Sequence, residues 1–199
     1  MSAMRFFLPL ILALIVPATA GLSQPAEPAP QPEAASLTTP EQRLDALFLD
    51  LKKERDENKA RELADRIRLE WQDSGSATVN LLMQSADKAI TDDKKTVALD
   101  ILDQVIVLAP SYVEGWNRRA TLHFQMGNYR KSMSDINRVL AIEPRHFGAI
   151  AGMATMLEAA GKNELAMRAW QQFLDVYPSD RKAQEQFGEL AEKLAGSRT

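Results

Sequence analysis

The sequence predicts an all-α protein, a solenoid of stacked helical hairpins closed by a C-terminal capping helix. Three observations carry this. Pro110, Pro144 and Pro178 follow one another at 34-residue intervals, and an internal period of that length marks a repeat architecture. When the units are aligned on these prolines, small residues recur at two places, Ala86/Ala120/Ala154 and Ala98/Ser132/Ala166. Large apolar residues flank them, as in Leu82/Trp116/Ile150, Leu102/Ile136/Trp170 and Val105/Val139/Phe173. Each unit also has a polar break at its middle: Asp92-Asp93, Gly127-Asn128 and Gly161-Lys162-Asn163.

The pattern has a direct physical reading. Two antiparallel helices need small residues where their axes approach to about 8–10 Å. Large residues three or four positions away then fill the flanking groove. A proline ends the second helix because it donates no N–H and clashes with the preceding turn. The units are therefore 79–112, 113–146 and 147–180. One hairpin cannot cover its own apolar faces, so neighbours must stack.

The remaining segments follow in chain order. Arg5, an 11-residue stretch from Phe6 to Val16, and Ala18-Thr19-Ala20 have the layout of a secretory signal peptide over residues 1–20. The alternative, a membrane anchor, needs about 30 Å of apolar helix, and 11 residues supply only about 17 Å. No later segment is apolar enough to span. Residues 21–39 form a Pro/Ala-rich linker with Pro25, Pro28, Pro30 and Pro32; the composition predicts a disordered, extended tether, with a docking segment as the alternative. The solenoid covers 40–195. Thr39-Pro40-Glu41-Gln42 opens its first helix as a capping box with Pro at the first helical position. Residues 45–78 read as a degenerate leading unit, with Leu44, Leu47, Phe48 and Leu51 on one stripe, Leu63, Ile67 and Trp71 on another, and Ala64 at the small position. Ser111 and Glu114 suggest a second capping box at the head of 113–146. Over 181–195, Ala183, Phe187, Leu190, Ala191 and Leu194 share one face, which suits a capping helix or, alternatively, a surface for self-association into a homo-oligomer.

Trp116, Ala120, Gly127, Tyr129, Ile136 and Pro144 resemble the tetratricopeptide repeat (TPR) pattern, and Gly161, Ala166 and Pro178 extend the resemblance to the third unit. The first unit lacks the aromatic residue and the turn glycine. The resemblance implies a right-handed superhelix with a concave binding face, a partner that is another protein or peptide, and no catalytic activity or cofactor. Small exported bacterial TPR proteins are similar, which points to the periplasm.

Composition agrees with a binding module. Of 199 residues, 45% are hydrophobic and 26% charged, and the net charge of −3 gives no electrostatic reason to expect nucleic acid. The chain has no Cys and two His, which removes disulfides, thiolate metal sites and Cys nucleophiles. Glu143 and His146 have Glu-x-x-His spacing, but Pro144 breaks the helix that would align them on a metal. His123 reads as a packed residue. Arg118-Arg119 and Arg130-Lys131 read as partners of Glu114 and Asp135. The five methionines Met126, Met133, Met153, Met156 and Met167 read as core or groove filler. No catalytic or metal-binding set emerges, although an enzyme with an unrecognised site is the third alternative.

In the family, positions 2, 5, 9 and 12 of each first helix line the groove. The resemblance thus implies Asn80, Met83, Asp87 and Ile90 in the first unit, Glu114, Asn117, Thr121 and Phe124 in the second, and Gly148, Ala151, Thr155 and Glu158 in the third. This set has three acids and no base, so it disfavours capture of a peptide carboxylate. It favours an apolar segment of neutral or basic character from another envelope protein.

Overall fold

The computed structural model describes residues 39–196, and the expected signal segment and all of the linker except Thr39 lie outside them. The described residues hold nine helices and no strand. They are α1 (Pro40–Lys53), α2 (Glu57–Gln72), α3 (Ala77–Thr91), α4 (Lys95–Leu108), α5 (Val113–Gln125), α6 (Tyr129–Ile142), α7 (Phe147–Ala159), α8 (Asn163–Val176) and α9 (Arg181–Gly196). Helices α3–α4, α5–α6 and α7–α8 pack as hairpins, and α4 on α5, α6 on α7 and α8 on α9 stack them into a helical repeat solenoid.

Each hairpin closes where its small residues meet. Ala86, Ala98, Ala120, Ser132, Ala154 and Ala166 are all buried. Ser132 brings a hydroxyl into this dry contact, and its Oγ donates to the Ala120 carbonyl at 2.7 Å, which satisfies the group. The three mid-hairpin turns share one geometry. Gly127 (φ 74°) and Gly161 (φ 71°) adopt left-handed backbone, and the next residue's N–H reaches back to His123 O or Leu157 O at 2.8 Å. Asp93 takes the same place in the first unit with φ 56°, and Lys94 N–H reaches Ala89 O at 2.8 Å. The missing turn glycine is thus replaced by a residue type that tolerates the left-handed region.

Thr39 forms the anticipated capping box on α1 with Gln42. The one anticipated at Ser111 and Glu114 does not form. Tyr112 is the N-cap of α5, with no side-chain cap, because the Glu114 carboxylate is held by His146 and Asn117. Arg119 does bind Asp135, at 2.7 Å, and also Asp103 at 2.6 Å. Arg118 pairs with Asp87, not with Glu114.

Hairpin α1–α2 differs most from the sequence expectation. A leading repeat would stack α2 on α3, but α2 hardly touches α3 and packs on α5, while α1 packs on α8. The hairpin lies along the turns that join successive repeats. Tyr112 Oη donates to Gln72 O at 2.9 Å at the first of these turns. At the second, Trp71 stacks on His146 (centroids 4.1 Å apart, planes 15° apart) and Arg145 lies 4.2 Å over Phe48 while binding Asp45 at 2.7 Å. At the third, Arg181 binds Glu57 at 2.9 Å. Phe147 connects Trp71 (5.1 Å) to Tyr177 (5.9 Å) and Phe173 (6.3 Å). The physical reason is the aromatic edge. The stripe Leu47, Phe48, Leu51, Ile67 and Trp71 meets the His146 and Phe147 rings and the Arg145 guanidinium there, and aromatic pairs add about 0.5–1.5 kcal/mol each beyond the area they bury. Residues of α1–α2 accordingly belong to the same core cluster as α7–α9, whereas α3–α4 forms its own.

Trp71→Ala is expected to destabilise the chain by about 3–5 kcal/mol, the usual cost of removing a buried aromatic side chain. Urea denaturation measures this, and limited proteolysis should then cut first within residues 54–76. Unchanged stability would mean that the hairpin is not held through this residue.

Candidate functional site

The first helices of the second and third hairpins, α5 and α7, wall a pocket of about 170 Å³. Asn117, Thr121 and Phe124 come from α5, and Gly148, Gly152 and Thr155 from α7. The side walls are uncharged. Gly152 leaves bare backbone on α7, and a Cβ there would stand 3.4 Å from Ile136 Cδ1. A mid-helix glycine costs about 1 kcal/mol relative to alanine, and here it keeps the pocket open. Phe124 is 39% exposed at the rim and meets Tyr129 edge-on at 5.6 Å. A volume of this size is below the roughly 300–1,000 Å³ of small-molecule sites and suits one inserted side chain. The larger hollow, about 530 Å³ at the tip of α1–α2, is an open surface lined by Lys53, Arg55, Lys59 and Arg66 interleaved with Asp50, Glu54 and Glu62.

The structure therefore gathers Asn117, Thr121, Phe124, Gly148 and Thr155 around one opening. Ala151 and Glu158 sit half-buried on α7 outside it. The other sequence-derived candidates are engaged with the scaffold. Asn80 Oδ1 accepts from Ser74 N–H at 3.0 Å and its Nδ2 donates to Asp73 at 3.1 Å, which shapes the α2–α3 loop. Met83 is buried in the α3–α4 core, Ile90 packs against the same cluster, and Asp87 pairs with Arg118.

Glu114 has the most constrained role. Its carboxylate accepts from His146 Nε2 at 3.0 Å and from Asn117 Nδ2 at 2.9 Å. His146 Nδ1 accepts from Ala149 N–H at 3.0 Å and so caps α7. With Nδ1 accepting, the ring proton is on Nε2 and points at Glu114. Both nitrogens are used, the ring is 1% exposed under Trp71, and neither residue lines a pocket described above. The pair is a buried brace with no opening for a substrate. Burial pushes the Glu114 carboxyl up, but the His146 and Asn117 hydrogen bonds outweigh it and hold the group below the usual carboxylate range. Burial also lowers His123, which is packed in the α5 core as anticipated. Among the described residues no group of three or more His, Asp or Glu is placed to hold a metal, and no helix is long and apolar enough to cross a membrane.

Gly152 is not among the sequence-derived candidates, because it falls one position outside the family's groove pattern. The sequence presents His146 only as half of a Glu-x-x-His spacing with Glu143, and its actual partner, Glu114, lies 32 residues away, where no local spacing reaches.

No protein-family profile matches the chain. A TPR repeat-containing protein of Rhizobium etli is 58% identical, over the full length of both chains. Among solved structures, the first TPR of Spaghetti (RPAP3) bound to HSP90 peptide SRMEEVD superposes with a TM-score of 0.55 at 20% identity, covering 59% of this chain and 93% of that one. A crystal structure of MamA protein superposes with a TM-score of 0.53 at 14% identity, covering 75% of this chain and 82% of that one.

Because its folded-state value is depressed, the Glu114 carboxylate contributes stability that is complete above the ordinary carboxylate range and is lost as pH falls through the lower folded value. Glu114→Gln should cost about 1.5–3 kcal/mol at pH 7, the worth of hydrogen bonds to a charged group. The gap to wild type should close below about pH 4 in denaturation curves; a gap independent of pH would refute the charged brace.

Proposed function

The chain belongs to the TPR protein family, and from that premise we propose that it is a non-enzymatic adaptor of the bacterial cell envelope. TPR proteins are in general non-catalytic interaction modules. Residues 1–20 direct export to the periplasm, residues 21–39 are a tether, and the repeats hold a segment of a partner protein. The observation that carries this is the uncharged pocket between α5 and α7. The TPR of Spaghetti, similar in fold, holds a peptide, which supports the same use of this fold here.

Charge describes the partner. Of the acids at the groove positions, Asp87 is paired with Arg118 and Glu114 is buried against His146, which leaves Glu158 on α7. The same register places Lys182, Glu185, Glu189 and Glu192 on α9, all exposed, so acids outnumber bases there. An acidic peptide such as SRMEEVD meets repulsion there, and a neutral or basic segment with one apolar side chain for the pocket does not.

Asn117→Ala combined with Phe124→Ala should reduce capture of the partner from envelope extract by about tenfold or more, equivalent to about 1.4 kcal/mol. Helical circular dichroism should be unchanged, since alanine suits a helix at both positions and His146 still holds Glu114 when the Asn117 hydrogen bond is lost. Undiminished capture would move the site elsewhere. Export has its own test. Protein recovered from the periplasmic fraction should begin at Gly21, and full-length chain in the cytoplasmic fraction would contradict it.

A further inference from the structure

Because α1–α2 lies along the turns, nothing in the described chain stacks on the front of α3–α4. The register shows what that face normally does. Gly115 of α5 is pressed against the preceding hairpin, so that a Cβ there would come within 2.8 Å of Val105 Cγ1. Ala149 holds the same position in α7 and is buried. The equivalent residue of α3 is Leu81, which is 63% exposed. On α4, Val97 (48% exposed) and Leu108 (59% exposed) continue the face, with half-buried Ile101 between them. Their counterparts in the next unit are Lys131, Ile142 and Asp135. A solenoid end that meets water needs a polar outer face; this one is more apolar than the covered unit behind it, as interaction patches are.

We propose that this front face of the first repeat is where two copies of the chain meet about a two-fold axis. The centre of the patch, Leu81, Val97, Ile101 and Leu108, carries no charge and can meet itself without repulsion. Its rim carries one charge of each sign. Lys88 stands where α5 has Leu122, which is buried against the α3–α4 cluster, and Asp100 lies beside Ile101. Both are exposed, and neither forms an ion pair with another described residue. In an isologous contact a residue pair is made twice, so Lys88 of each copy can meet Asp100 of the other. The hairpin that would otherwise cover the patch is held on the opposite side of this choice by Trp71, Tyr112 and Arg145. The pocket between α5 and α7 stays open in such a dimer.

Sedimentation velocity of the exported chain over roughly micromolar to hundreds of micromolar is expected to show a monomer–dimer equilibrium. Leu81→Asp should abolish the dimer with helical circular dichroism unchanged, because the side chain is exposed. Lys88→Glu should weaken it about tenfold, and adding Asp100→Lys should restore it, as only a reciprocal contact allows. A wild-type chain that stays monomeric, a dimer indifferent to Leu81→Asp, or a charge swap without recovery would each overturn the proposal.

Discussion

Trp71 lies flat on His146, and through that ring three parts of the chain are fixed at once. The imidazole caps α7 with one nitrogen and braces Glu114 of α5 with the other. The indole brings the end of α2 down on top. A buried polar ring of this kind is tolerable only when both nitrogens are satisfied. Satisfied, it specifies one arrangement of the second hairpin, the third hairpin and the N-terminal pair.

That arrangement explains why the repeats do not behave as an independent stack. In a simple solenoid each hairpin touches only its neighbours and its stability is nearly local. Here α1–α2 reaches past two repeats to α8 and ties successive turns to one another through Tyr112, Arg145 and Arg181. The spacing of α5 from α7 is thereby held from outside the pocket they form. A preformed cleft loses less conformational entropy on binding than one that must be ordered first. The fold thus links an anchor on the turn edge to the geometry of a groove made by other helices.

The same placement has a cost at the far end. The hairpin that strengthens the turn edge cannot also cover α3–α4, and Leu81, Val97 and Leu108 are left in water. The α5–α7 pocket and the apolar front are thus two surfaces of different chemistry on one array, the first proposed for a neutral or basic segment and the second for a second copy of the chain.

The amino-acid sequence by itself determined the three hairpins, the turn and proline positions between them, and the family. These rest on contacts within a hairpin or with the next one, and such contacts repeat, so they leave a period of 34 that can be read directly. The family resemblance also put Asn117, Thr121, Phe124, Gly148 and Thr155 at groove positions, and these line the pocket between α5 and α7. Tertiary structure alone decided where α1–α2 goes, what Glu114 binds and which groove residues stay open. Those outcomes depend on single pairs far apart in the chain, such as Asp45 with Arg145, 100 residues away, or Trp71 with His146. A contact made once has no period, and a hairpin with the composition of a repeat carries no local mark that another surface will hold it more strongly.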